Sequence, residues 1–79
     1  SLLAGRRYDF VLANINRNVL VADMPAYAAA LVPGGDLVMS GFLEADTAAV
    51  TQAAAEQGME TVAAETREGW MMIHVKKKK

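Results

Sequence analysis

The sequence predicts an α/β domain with elements in the order strand, helix, strand, helix, strand, strand. Three observations carry that prediction. The apolar run Tyr8-Asp9-Phe10-Val11-Leu12-Ala13-Asn14 and a second one, Asp36-Leu37-Val38-Met39-Ser40-Gly41-Phe42, are separated by residues with helical spacing. An alanine-rich stretch after the second run stops at Gly58. The remainder is two alternating segments about Glu68-Gly69, the pattern of an antiparallel hairpin.

Each element has its own justification. Tyr8 to Asn14 is nearly continuous in hydrophobicity, as in a strand covered on both faces of a parallel sheet. From Arg17 to Val32, Leu20, Met24, Tyr27, Ala28 and Leu31 share one helix face. Pro25 lies inside this pattern and removes a backbone donor, so a kink or a restart is expected. Pro33-Gly34-Gly35 is the expected stop. Asp36 to Phe42 is the second strand. Asp46 is the expected cap of a helix over Thr47 to Gln57, with Val50, Ala53, Ala54 and Gln57 on one face. Gly58 suits the left-handed position just past that helix, with Met59 packing back. Met59 to Thr66 and Trp70 to Lys76 are the third and fourth strands. In the last, Trp70, Met72 and His74 face one way and Met71, Ile73 and Val75 the other.

The totals narrow the function. A chain of 79 residues holds one small domain, and 53% apolar content supports a core. The absence of cysteine excludes disulfides and thiolate metal sites and fits a reducing, cytoplasmic setting. No apolar run approaches the ~20 residues that span a bilayer, so no membrane partner is expected. A net charge of −1 gives no global field for nucleic acid, and no direct contact with it is expected. The run Lys76-Lys77-Lys78-Lys79 reads as a solvated end. The chain starts in mid-pattern, with Ser1 to Arg7 as a loop entering the first strand, so a fragment of a longer protein is expected.

The chemistry-bearing residues cluster where strands end. In open α/β sheets ligands bind outside the carboxyl ends of the strands. Asn14, Ile15 and Asn16 end the first strand; Ser40 and Gly41 end the second. As residues alone, Asn14 and Asn16 suit helix caps, and Gly41 suits a bulge. His74 and Trp70 read as structural, Trp70 as core or hairpin packing.

These same residues carry a resemblance. The strand end Ala13-Asn14-Ile15, the turn Pro33-Gly34-Gly35, the segment Leu37-Val38-Met39-Ser40-Gly41-Phe42-Leu43 and the closing Glu68-Gly69-Trp70 resemble the carboxyl-terminal half of a class I methyltransferase dependent on S-adenosylmethionine. Within that class they are most similar to the methyltransferases of large-subunit ribosomal protein eleven. The resemblance covers nearly all 79 residues as one partial catalytic domain. It implies a Rossmann-like sheet whose final strand is inserted antiparallel, S-adenosylmethionine as cofactor, and a ribosomal protein amine as substrate. It implies Asn14 as the catalytic residue, aiming the amine through its side-chain carbonyl. Asn14 and Ile15 would border the cofactor, with Asn16, Ser40 and Gly41 on the substrate side. The family's glycine-rich cofactor loop has no counterpart here, since no G-x-G-x-G occurs. The isolated chain is therefore expected to bind cofactor poorly and not to turn over. Asn14 is followed by Ile15-Asn16-Arg17 instead of two prolines and an aromatic residue, which speaks against a flipped base as substrate.

A different class of function competes: a non-catalytic α/β interaction module. If the strand order of the family holds, the Tyr8–Asn14 strand lacks one neighbour, and its apolar edge would pair with another chain, including a second copy.

Overall fold

The computed structural model describes residues 7–79; of the loop expected over Ser1 to Arg7, all but Arg7 lies outside the described residues. The elements are β1 (Tyr8–Asn14), α1 (Arg17–Ala30), β2 (Leu31–Leu43), a single 3-10 turn (Glu44–Asp46), α2 (Thr47–Glu56), β3 (Met59–Arg67) and β4 (Trp70–Lys77). This is the expected order. The strands form one sheet in the order β1-β2-β4-β3. β1 and β2 are parallel, while β4 runs antiparallel to both β2 and β3. The closing hairpin is thus folded back so that the last strand lies inside the sheet.

One face of the sheet carries both helices. Leu37 and Met39 of β2 and Ile73 and Val75 of β4 are fully buried there, in one cluster with Leu20, Met24, Tyr27, Val50 and Ala54 from the helices. Each of the buried leucine, methionine, isoleucine and valine side chains contributes about 1.5–3 kcal/mol by leaving water. The opposite face is bare among the described residues. Phe10 and Leu12 of β1 are 55% and 65% exposed, and Trp70 and Met72 of β4 are also open to solvent. The continuous hydrophobicity of Tyr8 to Asn14 predicted cover on both faces. Among the described residues only one is covered, because α1 and α2 lie on the same side.

Other boundaries differ for identifiable reasons. α1 passes through Pro25 without a restart; Met24 and Tyr27, buried on either side of it, hold both turns against the sheet. The helix stops at Ala30, two residues before the expected Val32. Pro33 disfavours helical backbone at the residue before it, and Leu31 is already extended at φ −82°, ψ 139°. Pro33-Gly34-Gly35 lies within β2, in an insertion: Tyr8 pairs with Leu31, but Phe10 pairs with Asp36. The insertion is tight, since a Cβ on Gly35 would sit 2.8 Å from the Val32 carbonyl oxygen. Asp46 does not cap α2 with its side chain. It lies 3.7 Å from Arg17 Nε, and the Thr47 hydroxyl donates to the Glu44 carbonyl at 2.7 Å.

The lysine run is also more structured than a solvated end. Lys76 and Lys77 belong to β4. Lys77 Nζ donates to the carbonyls of Ala28 (2.7 Å) and Leu31 (2.9 Å), placing a cation where the helix exposes unpaired acceptors. Lys76 Nζ lies 3.0 Å from Asp36 Oδ1 and donates to the Gly34 carbonyl at 3.1 Å. His74 Nε2 lies 2.7 Å from the same Asp36 oxygen. These two partners, His74 first, hold the Asp36 carboxyl below its ordinary pKa.

Candidate functional site

The two asparagines that end β1 have different surroundings. Asn16 accepts a hydrogen bond from the Val19 amide at 3.0 Å and is the N-cap of α1. Asn14 stands two residues earlier, exposed at the carboxyl end of β1. Parallel pairing continues one step past it, with the Ile15 amide donating to the Ser40 carbonyl at 3.1 Å. That bond fixes the end of β1 against β2.

Gly41 explains how the site is opened. Between β2 and β4, Ser40 pairs with Met72 and Phe42 with Met71, so Gly41 is the extra residue of a bulge. Its φ is +91°, and a Cβ there would sit 2.5 Å from Asn14 Oδ1, 3.1 Å from Ile15 N and 3.2 Å from Ile15 O. Two acceptors, the Asn14 side-chain carbonyl and the Ile15 backbone carbonyl, therefore approach Gly41 through the space that any side chain would fill.

Asn14, Ser40 and Gly41 line one open cleft of about 930 Å³, together with Glu65, Thr66 and Arg67 of β3 and Trp70, Met71 and Met72 of β4. The cleft brings three of the five sequence-derived site residues together. It does not include the Ile15 side chain, which packs against the core, or Asn16, which caps α1. Register partners share a face, and one register line crosses all four strands: Asn14 beside Ser40, Ser40 beside Met72, Met72 beside Glu65. The hairpin wall was not evident from the sequence. Trp70, expected as packing, is more than half exposed and borders the cleft. The signals that could have located it are the Glu68-Gly69 turn and the bulge-permitting Gly41. Glu68 and Gly69 both adopt positive φ (53° and 84°), which closes a two-residue hairpin, and the Glu44 amide donates to the Gly69 carbonyl at 3.0 Å, tying that turn to the end of β2.

A sulfonium cofactor needs a cradle as well as an acceptor site. Neither strand-to-helix connection, Ile15-Asn16 or Glu44–Asp46, contains a glycine that would let backbone amides approach such a ligand. The described residues therefore form no such cradle.

This fold is that of known methyltransferases. It superposes on a crystal structure of the ribosomal protein L11 methylase of Lactobacillus delbrueckii subsp. bulgaricus with a TM-score of 0.89 at 21% identity, covering 96% of this chain and 40% of that one. A methyltransferase from Pyrococcus furiosus superposes with a TM-score of 0.75 at 14% identity, covering 96% of this chain and 44% of the other. Sequence comparison is more specific. The family model for ribosomal protein L11 methyltransferase (PrmA) matches residues 1–78. The ribosomal protein L11 methyltransferase of Phocaeicola vulgatus is 42% identical over 74 residues, 92% of this chain and 26% of that protein. The one from Chromohalobacter salexigens is 45% identical over 71 residues, 90% of this chain and 24% of that protein. The chain belongs to the ribosomal protein L11 methyltransferase family and spans about a quarter of the length of these curated relatives.

Proposed function

We propose that residues 1–79 are the acceptor side of a methyltransferase catalytic domain, its carboxyl-terminal half, within a cytoplasmic protein that methylates amines of ribosomal protein L11 with S-adenosylmethionine as donor. The observation that carries this reading is the approach of Asn14 Oδ1 and Ile15 O to side-chain-free Gly41 beside an open cleft.

Methyl transfer to an amine is a displacement whose main requirement is alignment. S-adenosylmethionine, when bound, supplies an already activated methyl group. The amine must arrive neutral, with its lone pair directed at that group. Asn14 suits this role, because its oxygen accepts an N–H hydrogen bond and carries no competing nucleophile. The Ile15 carbonyl offers a second acceptor for the other N–H, and Ser40 borders the approach. Asn16 is committed to its cap and takes no part in this scheme.

In the whole protein, Asn14→Ala should cut turnover about 100-fold or more, the scale on which misplacing a reacting group acts. Thermal unfolding should change little, because the side chain is exposed. Near-normal turnover would remove Asn14 from the mechanism. The 79-residue chain by itself should show no micromolar heat of binding with S-adenosylmethionine in calorimetry, since the cradle is lacking.

A second reading has its own observation. β1 pairs with β2 alone among the described strands, and its outward side chains Phe10 and Leu12 are exposed. An apolar, half-paired strand is a template for another chain. In this reading the isolated chain self-associates through Tyr8–Asn14, and sedimentation velocity should show a mass that rises with concentration. A monomeric profile at high concentration would discard it.

A further inference from the structure

We infer that the cleft reads a second positive charge on its substrate, and that Glu65 is the residue that reads it. This rests on the proposed placement of the accepting amine at Asn14.

Glu65 and Asn14 are the two ends of the register line that crosses the sheet. Both line the cleft. Between them lie Ser40 and Met72, one small and polar, the other flexible and partly exposed, and neither carries charge. The ion pairs among the described residues are Arg17 with Asp46 and Lys76 with Asp36, and His74 hydrogen-bonds to Asp36, so the Glu65 carboxylate has no cationic partner among them. Arg67 lies two residues further along β3, opposite Trp70, and forms no ion pair with Glu65.

Geometry sets the spacing of the two charges. Three strand-to-strand steps of about 4.8 Å put the ends of the line about 14 Å apart. An extended peptide rises about 3.4 Å per residue, so about four residues cover that span. A substrate segment lying across the line with its accepting amine at Asn14 therefore brings a basic side chain about four positions away to Glu65. The Met72 thioether and the Trp70 ring offer apolar surface to the intervening carbons. The substrate class is a peptide with two cationic side chains at this spacing. A lone amine meets only half of the site.

Glu65 is thus a specificity-determining residue, and binding tests it without requiring turnover. Two capped peptides serve as probes in an NMR titration of the whole protein at low salt: one with lysines four positions apart, the other with one of them replaced by norleucine. The two-lysine peptide should bind about threefold to fivefold tighter, the scale of one exposed ion pair. Amide shifts should appear at Asn14, Ser40 and Glu65 together. Glu65→Gln should erase the preference, Glu65→Asp should restore part of it, and moving the lysines to adjacent positions should also erase it. Equal affinities in the wild-type chain, a preference that survives Glu65→Gln, or shifts confined to Glu65 would each overturn the inference. In the whole protein Glu65→Gln should raise KM for the two-lysine peptide and leave kcat unchanged. Failure of the Asn14→Ala prediction would appear in kcat, so the two ideas fail by different signs.

Discussion

The two faces of this sheet use the same strands for opposite purposes. On the helix side, Leu37, Met39, Ile73 and Val75 are sealed beneath α1 and α2. On the other, one residue away along each strand, lie Asn14, Val38, Ser40, Trp70 and Met72, exposed or half-buried. Alternation with a period of two delivers one set to the core and the other to solvent. The lesson is a division of labour: the covered face fixes the register, and the register sets out the chemistry of the open face.

Substitutions on the two faces should separate sharply. Ile73→Ala should cost about 2–5 kcal/mol, since it leaves a hole in a fully buried cluster. Leu12→Ser, on the open face, should stay within about 0.5 kcal/mol. Urea unfolding of both variants checks the contrast; comparable losses would mean that the open face is covered in solution. Next in size is Gly41→Ala, where a left-handed backbone and the contact with Asn14 Oδ1 act together. It should cost about 1–3 kcal/mol and shift the amide resonances of Asn14 and Ile15. A silent Gly41→Ala variant would show that the bulge can relax and that the opening over Gly41 is not built in.

The amides of β1's end sharpen the same contrast. Asn16→Ala removes a cap and should cost about 1 kcal/mol. Asn14→Ala should leave stability nearly untouched, so the two variants divide structure from function within three residues. The smallest effect is acid sensitivity. His74 and Lys76 hold the Asp36 carboxyl below its ordinary pKa. A group whose folded pKa is depressed stabilises the fold above its unfolded pKa, and that contribution disappears as pH falls through the folded value. Thermal midpoints should therefore drop as pH is lowered below about 4, and Asp36→Asn should flatten that part of the profile.

Much of the fold was readable from the residues because the relevant signals are local. The spacing of Leu20, Met24, Tyr27 and Ala28, the alternation of Trp70 to Val75 and the turn at Glu68-Gly69 each appear in a short window. The features that escaped depend on long-range pairing. The Pro33-Gly34-Gly35 insertion is defined by how β2 meets β1, and the ordering of Lys77 by acceptors 46 and 49 residues away, at the end of α1. For the candidate cleft, the positions of Asn14, Ser40 and Gly41 could be read from strand ends alone. The wall of Glu65, Arg67 and Trp70 could not, because it exists only once β4 has slid between β2 and β3.

That insertion has a consequence for how the chain comes to be folded. The strand synthesised after the other three occupies an interior seat, so β2 waits with one side unsatisfied until Trp70–Lys77 has been made. Pairing so distant along the polymer is slow to form. During that interval a nascent chain offers a ribbon of vacant amides and carbonyls to any extended segment nearby.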